Sequence, residues 1–284
     1  MSSPTYPARL EALNKAIAKA QKSFSIFWRE LSWEYRRIVP GLELAAIKAP
    51  FSDTDDRIND DDVEHLWLND VTFDGETLQA NVLNSPNHLK SVKASERVTL
   101  TPDIISDWIY AISGKVYGGF TINHIRSELS PAELKQHDTQ WGLNFFPPEE
   151  DHFVPADYLG TPKTLKTGLF GLGKVKVIEP SQSLDFVKSF EHPMAVNAVE
   201  SFSAQFKELD SLNIQDETGL TILHSMALAG ATGIVKACLA LGADPSLTTI
   251  YGATAEDLAR KMGWSETVNA LEVSKANWTR PPES

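Results

Sequence analysis

Cysteine occurs once in the 284 residues, at Cys238. A disulfide framework is therefore excluded, and because Cys238 sits in an apolar helical stretch its expected role is that of a small buried hydrophobe. No apolar run approaches the roughly 20 residues of a membrane span. The start, Met1-Ser-Ser-Pro-Thr-Tyr-Pro, lacks the charged and then apolar order of a secretory signal, so a cytoplasmic location is expected. The seven histidines are scattered without ligand spacing, and neither a metal nor another cofactor is expected. Positive charge is scarce as well: 26 Lys and Arg stand against 38 Asp and Glu, a net charge of −12. That balance disfavours nucleic acid and anionic membranes and favours a basic partner.

What is present in quantity is apolar side chain, 42% of the chain, which suits one large or two ordinary packed domains. Near the C-terminus one pattern occurs twice. Gly219 recurs as Gly252, Thr221 as Thr254, Gly230 as Gly263 and Val235 as Val268, each pair 33 residues apart. In each copy a Gly permits a tight turn, and the Thr two residues later can cap a helix start. The apolar positions Leu223, Met226, Ala227, then Ile234, Val235, Cys238 and Leu239 are spaced to bury one face of each of two short helices.

These residues closely resemble ankyrin repeats, whose period is 33. The first copy runs Asp216-Glu-Thr-Gly-Leu-Thr-Ile-Leu-His-Ser-Met-Ala. The second, with Asp257 in place of His224, looks like a final repeat. Ile222 departs from the family, which usually has a helix-opening proline there. The resemblance implies molecular recognition through the hairpin tips, near Ile214 to Leu220 and Leu247 to Ala253, and the concave face of the inner helices. It makes Gln215, Glu217, Thr249, Ile250 and Tyr251 the candidate partner-binding residues. His224 is expected in a buried structural hydrogen bond. Two repeats do not bury a core alone, so Pro193 to Leu209, with Val196, Val199, Phe202, Phe206 and Leu209 at helical spacing, is read as part of a degenerate preceding repeat.

Upstream, Leu10, Leu13, Ile17, Ala20, Phe24, Phe27 and Leu31 predict one long helix from Pro7 to Ile38, stopped by Pro40-Gly41. Its aromatic second half is expected to clamp onto a sheet, with Arg29, Glu30, Glu34, Arg36 and Arg37 paired on the wet side. Strands are expected at Leu42 to Lys48, His65 to Phe73, Thr77 to Leu83, Arg97 to Leu100 and Lys115 to Ile122, with a tight hairpin at Asp74-Gly75. Ser130 and Glu133 form a capping-box pattern. Glu64-His-Leu-Trp67, Asp74-Gly75, Asn84-Ser-Pro86, Ile105 to Tyr110 and Gly114 to Ile122 together resemble an uncharacterised bacterial domain family sometimes found beside ankyrin repeats. That resemblance covers Phe24 to Phe146 and implies a fold but no chemistry. The expected fold class is therefore α+β: a long helix on a small antiparallel sheet over residues 1–146, a Pro/Gly-rich linker or arm over 147–182, and an all-α ankyrin region over 183–284.

Three constellations invite chemistry. Gly168-Leu-Phe-Gly-Leu-Gly-Lys174 has glycines for a phosphate cradle, but Val175-Lys-Val-Ile after it reads as a strand where a phosphate loop would open a helix. Asp53 to Glu64 has the length of a calcium loop, yet Ile58 replaces the obligatory glycine and Arg57 a ligand, so a solvated loop is expected. Glu64, His65, Trp67, Asp107 and Trp108 are the candidate pocket, with His65 and Asp107 as an acid–base pair if the strand of His65 lies near a turn at Ser106-Asp107-Trp108. No residue is assigned as catalytic. The expected function is non-enzymatic binding of a basic protein, in its narrowest form as an immunity or inhibitor protein against a bacterial toxin or effector. The alternative is an enzyme or small-ligand binder using the pocket around His65 and Asp107.

Overall fold

The computed structural model describes residues 6–54, 63–159, 164–166, 175–177 and 182–277. The chain opens with α1 (Tyr6–Glu34), followed by β1 (Leu42–Ser52), β2 (Val63–Phe73), β3 (Leu78–Val82), β4 (Arg97–Leu100), β5 (Asp107–Ile112) and β6 (Lys115–Gly118). These strands form one antiparallel sheet in the order β4-β3-β2-β1-β5-β6. Alternation assigns its faces: Ile47, Leu66, Leu68 and Trp108 point to the α1 side, while Ala46, Trp67 and Ile109 point to the other. On the second face Ile122 of α2 (Phe120–Ser127), Trp141 at the end of α3 (Pro131–Trp141), and Leu143 and Phe145 after it pack with Ala46, Ile109 and Val116, while α2 also lies against α1. The β2–β3 turn forms at Asp74-Gly75 as expected, with Asp74 accepting from Glu76 N, Thr77 N and Thr77 Oγ1.

Two strand expectations need correction. The run Lys115 to Ile122 ends as a strand at Gly118, because Gly119 adopts φ +68° and caps α2, so Phe120, Thr121 and Ile122 are helical. Ser106-Asp107-Trp108 is no turn, since Asp107 begins β5 between β1 and β6. Gly118 is needed for space as well as for its φ of +75°: a Cβ there would lie 2.4 Å from the Trp108 ring and from the Trp108 carbonyl oxygen.

The C-terminal region is helical: α4 (Leu184–Lys188), α5 (Pro193–Lys207), α6 (Ile222–Leu228), α7 (Thr232–Ala240), α8 (Ala255–Met262) and α9 (Ser265–Asn277). The 33-residue period survives in three dimensions. Thr221 caps α6 with His224 as its box partner, and Thr254 caps α8 with Asp257 in the same role. α6 stacks on α8, and α7 lies between α5 and α9. In the sequence between the sheet and these helices, β7 (Thr164–Lys166) and β8 (Val175–Val177) form a two-stranded ribbon. The glycine-rich loop 168–174 and most of the acidic run, residues 55–62, lie outside the described residues.

The two regions share one hydrophobic core, and α1 joins them. Every residue from Ser23 to Trp33 is buried, the signature of a helix enclosed all round. Phe24 and Phe27 face the sheet, where they meet Phe73 and Trp108. Trp33 stacks on His192 and meets Phe202 edge-on. Arg29 and Glu30 are therefore not on a wet side, each being only 2% exposed. Arg29 donates to the Phe190 carbonyl at 2.7 Å and lies 5.2 Å over the Trp264 ring. Burial draws its guanidinium pKa down, opposed chiefly by Glu30. Glu30 Oε2 lies 3.1 Å from His192 Nε2. His192 Nδ1 accepts from Met194 N, so Nε2 carries the proton and donates to Glu30. The segment after α3 is built in too: Phe153 and Val154 are buried, and the Phe153 carbonyl accepts from the Tyr110 hydroxyl at 2.7 Å.

Candidate functional site

The repeated turns meet along one edge. Ile250 N donates to Thr218 O at 3.0 Å, Gln215 Nε2 to Thr248 O at 2.8 Å and Gly219 O at 2.7 Å, and His224 Nε2 to Leu247 O at 3.1 Å. A Cβ on Gly219 would lie within 3.0 Å of the Thr249 and Ile250 backbones, so the turns stack only because that position is bare. The His224 tie is the expected buried structural hydrogen bond, and burial draws its imidazole pKa down while the Leu247 carbonyl opposes.

This geometry divides the candidate tip residues. Gln215 spends its amide holding the two turns together. Thr249 is 5% exposed and its hydroxyl accepts from Tyr251 N and Ala253 N. Glu217, Ile250 and Tyr251 face solvent, Ile250 at 65% and Tyr251 at 47% exposure. Ile214 at 71% extends the same edge beside Gln215, and the sequence reading did not single it out.

The inner helix α8 is not open along its length. The β2–β3 turn lies against it: a Cβ on Gly75 would be 2.5 Å from Leu258 Cδ2, Glu76 pairs with Lys261 at 2.6 Å, and the Tyr251 hydroxyl is 3.4 Å from Asp74 Oδ2. The chain's own β2–β3 turn therefore covers part of α8.

The five candidate pocket residues do not converge. Trp108 is in the core under α1, its Nε1 donating to Ala20 O and Ser23 Oγ. Glu64 points to the same side at the sheet's end and accepts from Asn87 N, Asn87 Nδ2 and His88 N. His65, Trp67 and Asp107 share the opposite face. Lys48, missed by the sequence reading, sits between them, with its ammonium 5.6 Å from the Trp67 ring centroid; burial lowers its pKa and Asp107 opposes. His65 Nδ1 meets Ser106 Oγ at 2.8 Å rather than Asp107. Asp107 is fully buried and accepts from Trp108 N, Phe120 N, Thr121 N and Thr121 Oγ1. Burial pushes its carboxyl up from the usual range, while Thr121 and the backbone donors hold it back. Asp107 thus fastens the start of α2 to β5. Only the period-2 alternation could have revealed that His65 and Asp107 share a face.

Among the described residues no group of three or more His, Cys, Asp or Glu is arranged to hold a metal, and no helix is long and apolar enough to cross a membrane.

Comparison with known proteins bears on both regions. Residues 11–145 match the family described as "Uncharacterized protein conserved in bacteria (DUF2314)". The chain is 36% identical over 263 residues to a Neisseria meningitidis serogroup B protein named "Putative ankyrin repeat protein NMB1133/NMB1171", covering 92% of this chain and 93% of that protein. It is 28% identical over 113 residues to "Uncharacterized protein YegJ" of Escherichia coli K12, covering 40% of this chain and 66% of that one.

Proposed function

We propose a function from one premise: the chain belongs to the same family as the Neisseria meningitidis protein named "Putative ankyrin repeat protein NMB1133/NMB1171". The helix pairs α6–α7 and α8–α9 are ankyrin repeats, with α5 as the outer helix of a degenerate preceding one. The protein is a non-enzymatic interaction protein that grips a protein partner along its turn edge. The observation that carries this reading is the row of exposed apolar side chains Ile214, Ile250 and Tyr251 on that edge, since large apolar groups at turns have little structural reason to face water. In sequence, Glu208, Asp210, Asp216 and Glu217 flank Ile214, with no Lys or Arg between Lys207 and Lys236, which favours a basic partner. The narrowest form of the proposal is an inhibitor of a basic bacterial toxin or effector. A reading as an enzyme around His65 and Asp107 is weaker, because both Asp107 oxygens are committed to the corner between β5 and α2.

Affinity purification of the full chain from its native cell, beside an Ile250→Ala/Tyr251→Ala variant, tests the proposal. A basic protein should accompany the wild type in near-stoichiometric amount and be depleted from the variant. Equal recovery with both proteins would place the binding surface elsewhere.

A further inference from the structure

A cavity of about 380 Å³ opens where α1, the β2–β3 turn, the 3-10 turn Pro102–Ile104 and the end of α8 meet. Its apolar wall is Phe24, Phe73 and Met262, each nearly buried, with the two phenyl rings edge to face at 5.5 Å. Ser25 lines it as well, and its buried hydroxyl has no hydrogen-bond partner among the described residues. Lysines approach from three elements: Lys22 from α1, Lys188 from α4 and Lys261 from α8. Lys261 is matched by Glu76 at 2.6 Å. Lys188 donates to the Met262 carbonyl at 3.0 Å and lies 5.7 Å from the Trp264 ring. Burial draws its ammonium down, and the repulsion of Lys22 and Arg29 adds to that against the pull of Asp185. Lys22 has no ion pair among the described residues. Two carboxylates line the cavity as well, Glu76, which is spent on Lys261, and Asp103.

A chain of net charge −12 that gathers repelling lysines over an apolar hollow between two regions has the makings of an anion site. The volume falls within the range of small-ligand pockets, which favour domain junctions. We propose that this cavity binds a small organic anion. Its carboxylate or phosphate is held by Lys22 and Lys188, its aromatic or branched apolar body lies on Phe24, Phe73 and Met262, and the Ser25 hydroxyl donates to one of its oxygens. Because the walls come from both the sheet domain and the helical region, an occupant also ties the two together and raises the stability of the whole chain.

The test is a set of amide chemical-shift titrations of the full-length protein with phenyl phosphate, benzoate, inorganic phosphate and benzyl alcohol. Phenyl phosphate or benzoate should produce saturable shifts at Lys22 to Ser25, Phe73 and Met262 below about 10 mM, and the tighter of the two identifies the preferred anionic group. Inorganic phosphate and benzyl alcohol should each bind at least about fivefold more weakly, since each offers half of the recognition. Lys22→Gln, at an exposed position that leaves the fold intact, should weaken the better ligand by at least about fivefold. The proposal is overturned if neither organic anion shifts these amides saturably, if inorganic phosphate or benzyl alcohol binds as well as they do, or if Lys22→Gln changes nothing.

Discussion

Replacing Glu30 by alanine probes the contact that makes one body of the two regions. The Glu30 carboxylate is 1% exposed, accepts from His192 Nε2 across 162 residues of sequence, and is the chief charge opposing the desolvation of Arg29. Its removal leaves a buried guanidinium without its chief counter-charge, with only the weaker pull of the Glu191 carboxylate left, and a buried imidazole N–H without an acceptor. Breaking such a pair from one side costs about 3–5 kcal/mol. Unfolding entropy of about 2.1 cal/mol/K per residue, over the full chain, amounts to roughly 0.6 kcal/mol/K, so Tm should fall by about 5–8 °C. Scanning calorimetry of wild type, Glu30→Ala and Glu30→Gln is the assay. Glutamine keeps an oxygen for His192 and should lose less. A shift below about 1 °C for Glu30→Ala, or a wild type that melts in two transitions of which only one moves, would refute the reasoning.

Gly118→Ala places a methyl into the Trp108 ring at a left-handed backbone position and should cost about 3 kcal/mol or more; a loss under about 1 kcal/mol in urea melts would contradict the crowding. Glu76→Gln removes the partner of Lys261 at a pair 53% and 41% exposed, and should change stability by about 0.5 kcal/mol or less; a loss comparable to that of Glu30→Ala would mean that this surface pair carries the junction. His224 has a folded pKa below its ordinary 6.5, so the unfolded chain takes up the proton first. The stability it contributes is complete above 6.5 and is lost as pH falls through 6.5 toward the folded value. His224→Gln should flatten the dependence of Tm on pH between about 7 and 5, and an unchanged slope would show that this imidazole does not titrate on unfolding.

The features legible in the sequence were local ones. The 33-residue period, the capping residues Thr221, Thr254 and Ser130, the Asp74-Gly75 turn and four of the strands are all written in adjacent residues. β5 escaped because Asp107 to Ala111 are all buried, so no alternation marks the run as a strand. The end of β6 escaped because Gly119 turns a β-branched stretch into a helix start. Arg29 and Glu30 looked like surface charges, since the groups that accept their burial, Phe190 O and His192, lie about 160 residues away. Of the candidate residues, Ile250 and Tyr251 were readable as exposed from their place in a turn. The commitment of Thr249 and Gln215 to stacking depends on the second turn and was not.

The central claim is that Ile250 and Tyr251 carry binding energy and not fold. With the partner purified, calorimetric titration of wild type and of Ile250→Ala/Tyr251→Ala measures it directly. The account predicts a loss of about 2 kcal/mol or more, roughly 30-fold in Kd, with Tm nearly unchanged because both side chains are largely exposed and, among the described residues, their hydrogen bonding to the rest of the fold is one long contact of 3.4 Å from the Tyr251 hydroxyl to Asp74. Undiminished affinity in the double variant would contradict it and move the binding surface to the sheet domain.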